Sequence, residues 1–244
     1  MKKINLFVSL IMMITISCSK QSNNNDDTGN TDPEPGSTLK EAGYGASNKP
    51  FINPSWSLPT GVELTDSIHE YSYCWAFPPG TSVPAKDWKG IPTGFTFCIS
   101  LANTTNAPIT IVFPPELVLV SSSVEHQNVV IIDMGELQMA PGITTTIVAQ
   151  GFCLNKGRSI PESYIDGTEQ FLSYSFGPSQ IPAALKEVTG IVASKHITMD
   201  DVLKENGTID NSKMAKYIPI QTAIWEVTDE HGLTEATRKA LSAL

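Results

Sequence analysis

Apolar and polar positions alternate with a period of two from about residue 53 to residue 154, and the period lengthens to that of a helix beyond it. Tyr71, Tyr73, Trp75 and Phe77 alternate with Ser72, Cys74 and Ala76, and Phe95, Phe97, Ile99 and Leu101 alternate with Thr96, Cys98 and Ser100. Each run predicts a strand with one aromatic or aliphatic face. Asn103-Thr104-Thr105-Asn106 reads as a turn, followed by Ile109, Ile111 and Phe113 and the stop Pro114-Pro115. Further strands are predicted over Leu117–Ser121, Asn128–Asp133 and Ile143–Gln150, the last introduced by the turn Pro141-Gly142. Short strands at this spacing predict an antiparallel β-sandwich of immunoglobulin-like type, over residues 40–152.

Residues 153–244 predict a smaller, mostly helical region. Pro182–Ala193 has helical composition around Leu185 and Val188, and Met199–Glu205 is a short helix favoured by Asp200 and Asp201 near its start. Lys213–Tyr217 and Glu235–Leu241 are further helices, with Thr234 a good N-cap for the second. Between them Pro219 opens a helix in which Ile220, Ile224 and Val227 form an apolar stripe and Gln221, Trp225 and Thr228 a second one beside it. Thr222, Glu226 and Asp229 fall on its polar side, and Gly232 is a good stop. Gln221 therefore sits in the first turn, at the edge of the face that packs. Glutamine is an odd choice for packing alone, and the partner expected for it is Cys153, at the seam between strands and helices.

The first residues read as an address. Lys2 and Lys3 precede the apolar run Leu6–Ile16, too short to span a bilayer and laid out as a secretory leader. It ends in Thr15-Ile16-Ser17-Cys18, which resembles the lipobox of bacterial lipoproteins. That resemblance makes residues 1–17 a lipoprotein signal peptide, Cys18 the lipidated residue, and the bacterial cell envelope the expected location. Contact with the membrane is then through the N-terminal lipid only. Residues 18–39 are Ser, Asn, Asp, Thr, Gly and Pro with almost nothing apolar, which predicts a flexible tether.

Charge and cysteine content narrow the partners. The net charge of −9 becomes more negative once Lys2 and Lys3 leave with the signal, which argues against nucleic acid and anionic lipid head groups. The four histidines share no metal-ligand spacing with the cysteines, so neither a metal nor another cofactor is expected. With Cys18 set aside, three cysteines remain in an exported chain. Cys74 and Cys98 occupy the same kind of place on their strands, as a cross-strand disulfide or as two small residues filling a face. Pairing them leaves Cys153 alone, either inert or kept for chemistry.

Gly151-Phe152-Cys153-Leu154-Asn155, with Pro161 and Tyr164 after it, and then Ile220-Gln221-Thr222-Ala223-Ile224-Trp225-Glu226-Val227-Thr228-Asp229 are similar to the two ends of the thioester domain of bacterial surface adhesins. The resemblance runs from Gln150 to Asp229. It implies an internal thioester in which Cys153 supplies the sulfur and Gln221 the acyl carbon, with Phe152 and Trp225 excluding water from the bond. It also implies a partner, an amine nucleophile on a host or cell-surface protein, and single-use acyl transfer rather than turnover. The alternative is a non-reactive surface module whose sandwich binds a glycan or a protein non-covalently, with Tyr71, Tyr73 and Trp75 as a stacking platform if that face is exposed.

Overall fold

A computed structural model describes residues 41–71, 83–161 and 171–244. The signal, the tether with Cys18, most of the strand expected over Tyr71–Phe77 with its Cys74, and Tyr164 lie outside the described residues. What is described is mixed β and α: strands β1 Val62–Leu64, β2 His69–Glu70, β3 Phe95–Asn103, β4 Ile109–Val112, β5 Glu116–Ser121, β6 Val129–Ile132, β7 Glu136–Met139, β8 Thr144–Cys153 and β9 Tyr174–Phe176, followed by helices α1 Ala183–Ala193, α2 Asn211–Met214, α3 Ile218–Thr228 and α4 Glu235–Ser242. Single 3-10 turns occupy Met199–Val202 and Ala215–Tyr217. The main sheet runs β1-β3-β8-β6-β5-β9 with β2 also on β3, and β4 and β7 form a separate ribbon. Every strand pairing is antiparallel.

The architecture turns on β8. From Thr144 to Gly151 it pairs with β3, and at Phe152 and Cys153 it pairs with Val130 and Val129 of β6. One strand thus joins two groups of strands, and the sheet curls. Gly151 marks the crossover, because a Cβ there would stand 2.3 Å from the Val129 side chain. Only a bare backbone allows that approach.

Side chains of β5 and β6 alternate between two cores. Leu117, Leu119, Val129 and Ile131 face inward toward Phe97, Ile99 and Leu101 of β3, and Ile111 and Met139 of the ribbon close that core. Val118, Val130 and Ile132 face the other way and pack under Leu185 and Val188 of α1, Ile220 and Ile224 of α3 and Leu241 of α4. Burial on both faces is why β6 reads as an unbroken apolar run. Phe152 and Leu154 belong to the helix-side core, so the segments before and after residue 152 share it.

The helices follow the apolar stripes. Ile220, Ile224 and Val227 of α3 are buried, and α4 starts at Thr234, whose hydroxyl accepts from Thr237 N–H at 3.2 Å. Glu226 is a correction to the amphipathic reading of α3. It is 8% exposed rather than solvated, because the start of α4 folds back onto it. Its carboxylate accepts from Thr234 N–H at 2.8 Å and from the Thr237 hydroxyl at 2.6 Å, an acid at a helix N-terminus that bolts α4 to α3.

Candidate functional site around Cys153 and Gln221

Cys153 ends β8 and is wholly buried, in no disulfide. Leu154 N–H turns toward β6 and donates to the Asn128 carbonyl. Backbone groups of neighbouring strand residues point to opposite sides, so those of Cys153 face the side where β3 lies. Strand β3, however, begins at Phe95, opposite Gly151. Past that point the edge of β8 lacks a strand, and the side chain of Gln221 takes its place. Cys153 N–H donates to Gln221 Oε1 at 2.9 Å, and Gln221 Nε2 donates to Cys153 C=O at 2.9 Å. The two residues are 68 apart in the chain and both are buried. A carboxamide carries one donor and one acceptor at the spacing of a peptide unit, which is why glutamine serves here.

The loop before β3 is held off this edge. Thr93 N–H donates to Gln150 Oε1, and its hydroxyl donates to the Gly151 carbonyl at 2.9 Å. The loop diverges from β8 just where Gln221 arrives from α3. Between them is a crevice of about 20 Å³ with Gln221 and Phe152 on its wall, bordered by Pro92, Gly94, Phe95, Tyr217 and Ile218. That volume accommodates about one water molecule. Trp225, one turn beyond Gln221, does not line it. Its ring is half-buried with Lys156 Nζ 5.9 Å from the centroid, and its Nε1 is buried with no hydrogen-bond partner among the described residues.

Asn155 was not foreseen as a site residue and proves central. It is fully buried, its Oδ1 accepts from Asn128 N–H at 2.8 Å, and its Nδ2 donates to the carbonyls of Gly43 and Gly45. Asn128 Nδ2 donates to Gly43 as well. The 43–45 loop is thereby strapped across the end of β8. Gly45, at φ 56°, lies so close to α3 that a Cβ would stand 2.1 Å from the Thr228 carbonyl. The signal in the sequence was Cys-Leu-Asn itself, since an asparagine directly after a buried strand has to spend its amide on backbone.

Asp229, at the end of α3, is tied to the same segment, with Oδ1 accepting from Lys156 N–H at 3.1 Å and Oδ2 from the Thr228 hydroxyl at 2.6 Å. Burial pushes its carboxyl up to about 6 from the ordinary 3.8, against the lowering effect of those hydrogen bonds and of the Lys156 and Arg158 charges. It too departs from the solvated helix end expected of it. The folded state binds this proton more tightly than the unfolded chain. The Asp229 contribution is therefore most favourable below pH 3.8 and is lost as pH rises through about 6. The loss is up to about 3 kcal/mol. The difference in Tm between the native protein and Asp229→Asn is expected to fall between about pH 4 and about pH 7. A constant difference across that range would show that the carboxyl titrates normally.

Cys98 on β3 is disulfide-bonded, while Cys74, the partner considered for it, lies outside the described residues. Among the described residues no group of three His, Cys, Asp or Glu side chains is placed to hold a metal ion, and no helix is long and apolar enough to cross a membrane. No family model matches this chain, and neither a curated protein nor a solved structure matches it.

Proposed function

We propose that this is a lipid-anchored bacterial surface protein that attaches itself covalently to an amine on a partner protein, through an internal thioester between Cys153 and Gln221. In this reading Cys18 carries the lipid, residues 18–39 hold the folded part off the membrane, the strands up to residue 152 make an immunoglobulin-like sandwich, and residues 153–244 are the thioester-type region. The observation that carries it is the paired hydrogen bond between the Gln221 carboxamide and the Cys153 backbone, deep in the protein.

The chemistry follows from that pair. The Cys153 thiol adds to the Gln221 amide carbon, and charge builds on Oε1, where Cys153 N–H already donates at 2.9 Å. Collapse breaks the C–N bond, and the departing nitrogen takes the thiol proton and leaves as ammonia. The product is an acyl sulfur bond, far more electrophilic than the amide it replaces. An amine from a partner then adds to the same carbon and expels the sulfur. A new amide joins the partner to residue 221, and the Cys153 thiol is restored with the amine's proton.

Peptide mass mapping of the purified protein tests this. The peptides carrying Cys153 and Gln221 are expected to be joined and one ammonia lighter than their sum. Methylamine is expected to part them, leaving N-methylglutamine at 221 and an alkylatable thiol at 153. Separate peptides of full sequence mass, with Cys153 alkylated on denaturation alone, overturn the reading.

One observation favours the non-covalent alternative, binding of a glycan or a protein by the strand region. A surface groove of about 460 Å³ runs between the β1–β2 connection and β9, lined by Thr65, Asp66, Ser67, Ser122, Ser173 and Ser175 among others. Its hydroxyls and one carboxylate suit a neutral polyhydroxyl ligand. This is the function left standing if the mapped peptides prove separate.

A further inference from the structure

We infer that the crevice beside Gln221 is a filter on the width of the attacking amine. The inference rests on the thioester reading and deepens it, by specifying which amines reach the bond. Its basis is the shape and lining of the opening.

A volume of about 20 Å³, room for about one water molecule, admits an amino group and leaves the carbon behind it at the mouth. Part of the wall is fixed, while Met214 and the exposed Ile218 complete it. Thr93 is held to β8 at Gln150 and Gly151 on one side, while Phe152 and Tyr217 are 2% and 4% exposed on the other. Among the described residues lining the crevice none is charged, and Pro92, Phe95, Phe152, Tyr217 and Ile218 make it mainly apolar. Selection there acts on width rather than on charge, and an ammonium group must shed its proton to enter. A primary amine on an unbranched carbon passes. An amine branched at that carbon does not.

Gly94 lies on the border of the crevice and faces open space. A Cβ built on it meets no heavy atom within 4 Å, and its backbone is not in the left-handed region, so a side chain is tolerated. The position borders the crevice, and a larger residue there occupies the approach.

The test uses the full chain, with thioester content measured by peptide mapping and opening followed as release of the Cys153 thiol. Methylamine, ethylamine, isopropylamine and tert-butylamine are compared at one concentration of neutral amine, with a small alkyl thioester in solution as the reference for intrinsic reactivity. The methylamine-to-isopropylamine rate ratio is expected to exceed that of the reference by at least about tenfold. Gly94→Leu, long enough to reach back over the opening, is expected to slow methylamine by at least about tenfold while leaving thioester content unchanged, whereas Gly94→Ala, whose Cβ meets nothing, is expected to react as the native protein does. An intact thioester whose amine ratio equals that of the reference removes the filter and leaves covalent attachment standing. Absence of the thioester from the native protein removes both. Should Gly94→Leu fail to fold, the amine series on the native protein decides alone.

Discussion

On the proposed thioester reading, Cys153→Ala and Gln221→Ala are both expected to abolish covalent capture of amines and to lose the stabilisation of the crosslink, with Gln221→Ala the less stable of the two. The two residues meet, but their roles in the fold differ. Cys153 joins the clasp through its backbone N–H and C=O, which alanine keeps. Trimming a buried thiol to a methyl leaves a small void worth about 1 kcal/mol. Gln221→Ala in addition removes the acceptor from Cys153 N–H and, in the amide form, the donor to Cys153 C=O, at about 1–3 kcal/mol for each buried group left unpaired. A further loss of this size is a large fraction of a typical domain's stability. Urea unfolding with mass mapping on both variants checks this. Adduct formation that survives Cys153→Ala would place the reactive group elsewhere, and equal stability losses would mean that the Gln221 amide is not the missing strand edge.

Asn155→Ala is the second large effect, an expected loss of about 2–5 kcal/mol with a change in reactivity that follows from position rather than chemistry. Removing its amide leaves Asn128 N–H and the Gly45 carbonyl buried and unpaired, while Gly43 keeps its bond from Asn128. The 43–45 strap should loosen where it crosses the end of α3, two residues from Cys153. Hydrogen exchange is expected to rise at residues 43–47 and 128 and, on the thioester reading, hydrolysis of the proposed bond to quicken as water gains access. Exchange confined to residue 155 would show that the strap holds by packing alone. Asn155→Asp sharpens the test: its carboxylate can still accept from Asn128 but cannot donate to the two glycine carbonyls, so a stability near that of alanine is expected.

Much of the fold was legible in the pattern of the chain, and the reasons are local. Strands β3, β4, β5, β6 and β8 announced themselves because each buries an alternating or unbroken apolar face, α3 because its stripes repeat at helical spacing, α1 by its helical composition and α4 by its N-cap Thr234. Strands β1, β2 and β9 escaped notice, since two or three residues carry too little period to register, and β7, as long as β4 and β6, was missed although Leu137 and Met139 alternate with Glu136 and Gln138. Glu226 and Asp229 were assigned to water because helical periodicity reports only the face a residue occupies. It does not report that α4 or the segment after β8 will cover that face. Sequence also marked Gln221 as out of place on a packing edge and Cys153 as the cysteine without an obvious mate.

Composition and periodicity by themselves determined a β region followed by a helical one, an acidic chain, and a cysteine and a glutamine in need of explanation. Tertiary structure decided the rest: that β8 outruns β3 by two residues, that the exposed edge falls at Cys153, and that α3 delivers an amide to fill it. No local rule contains that result. It depends on where one strand stops relative to another, which is set by the packing of both cores at once.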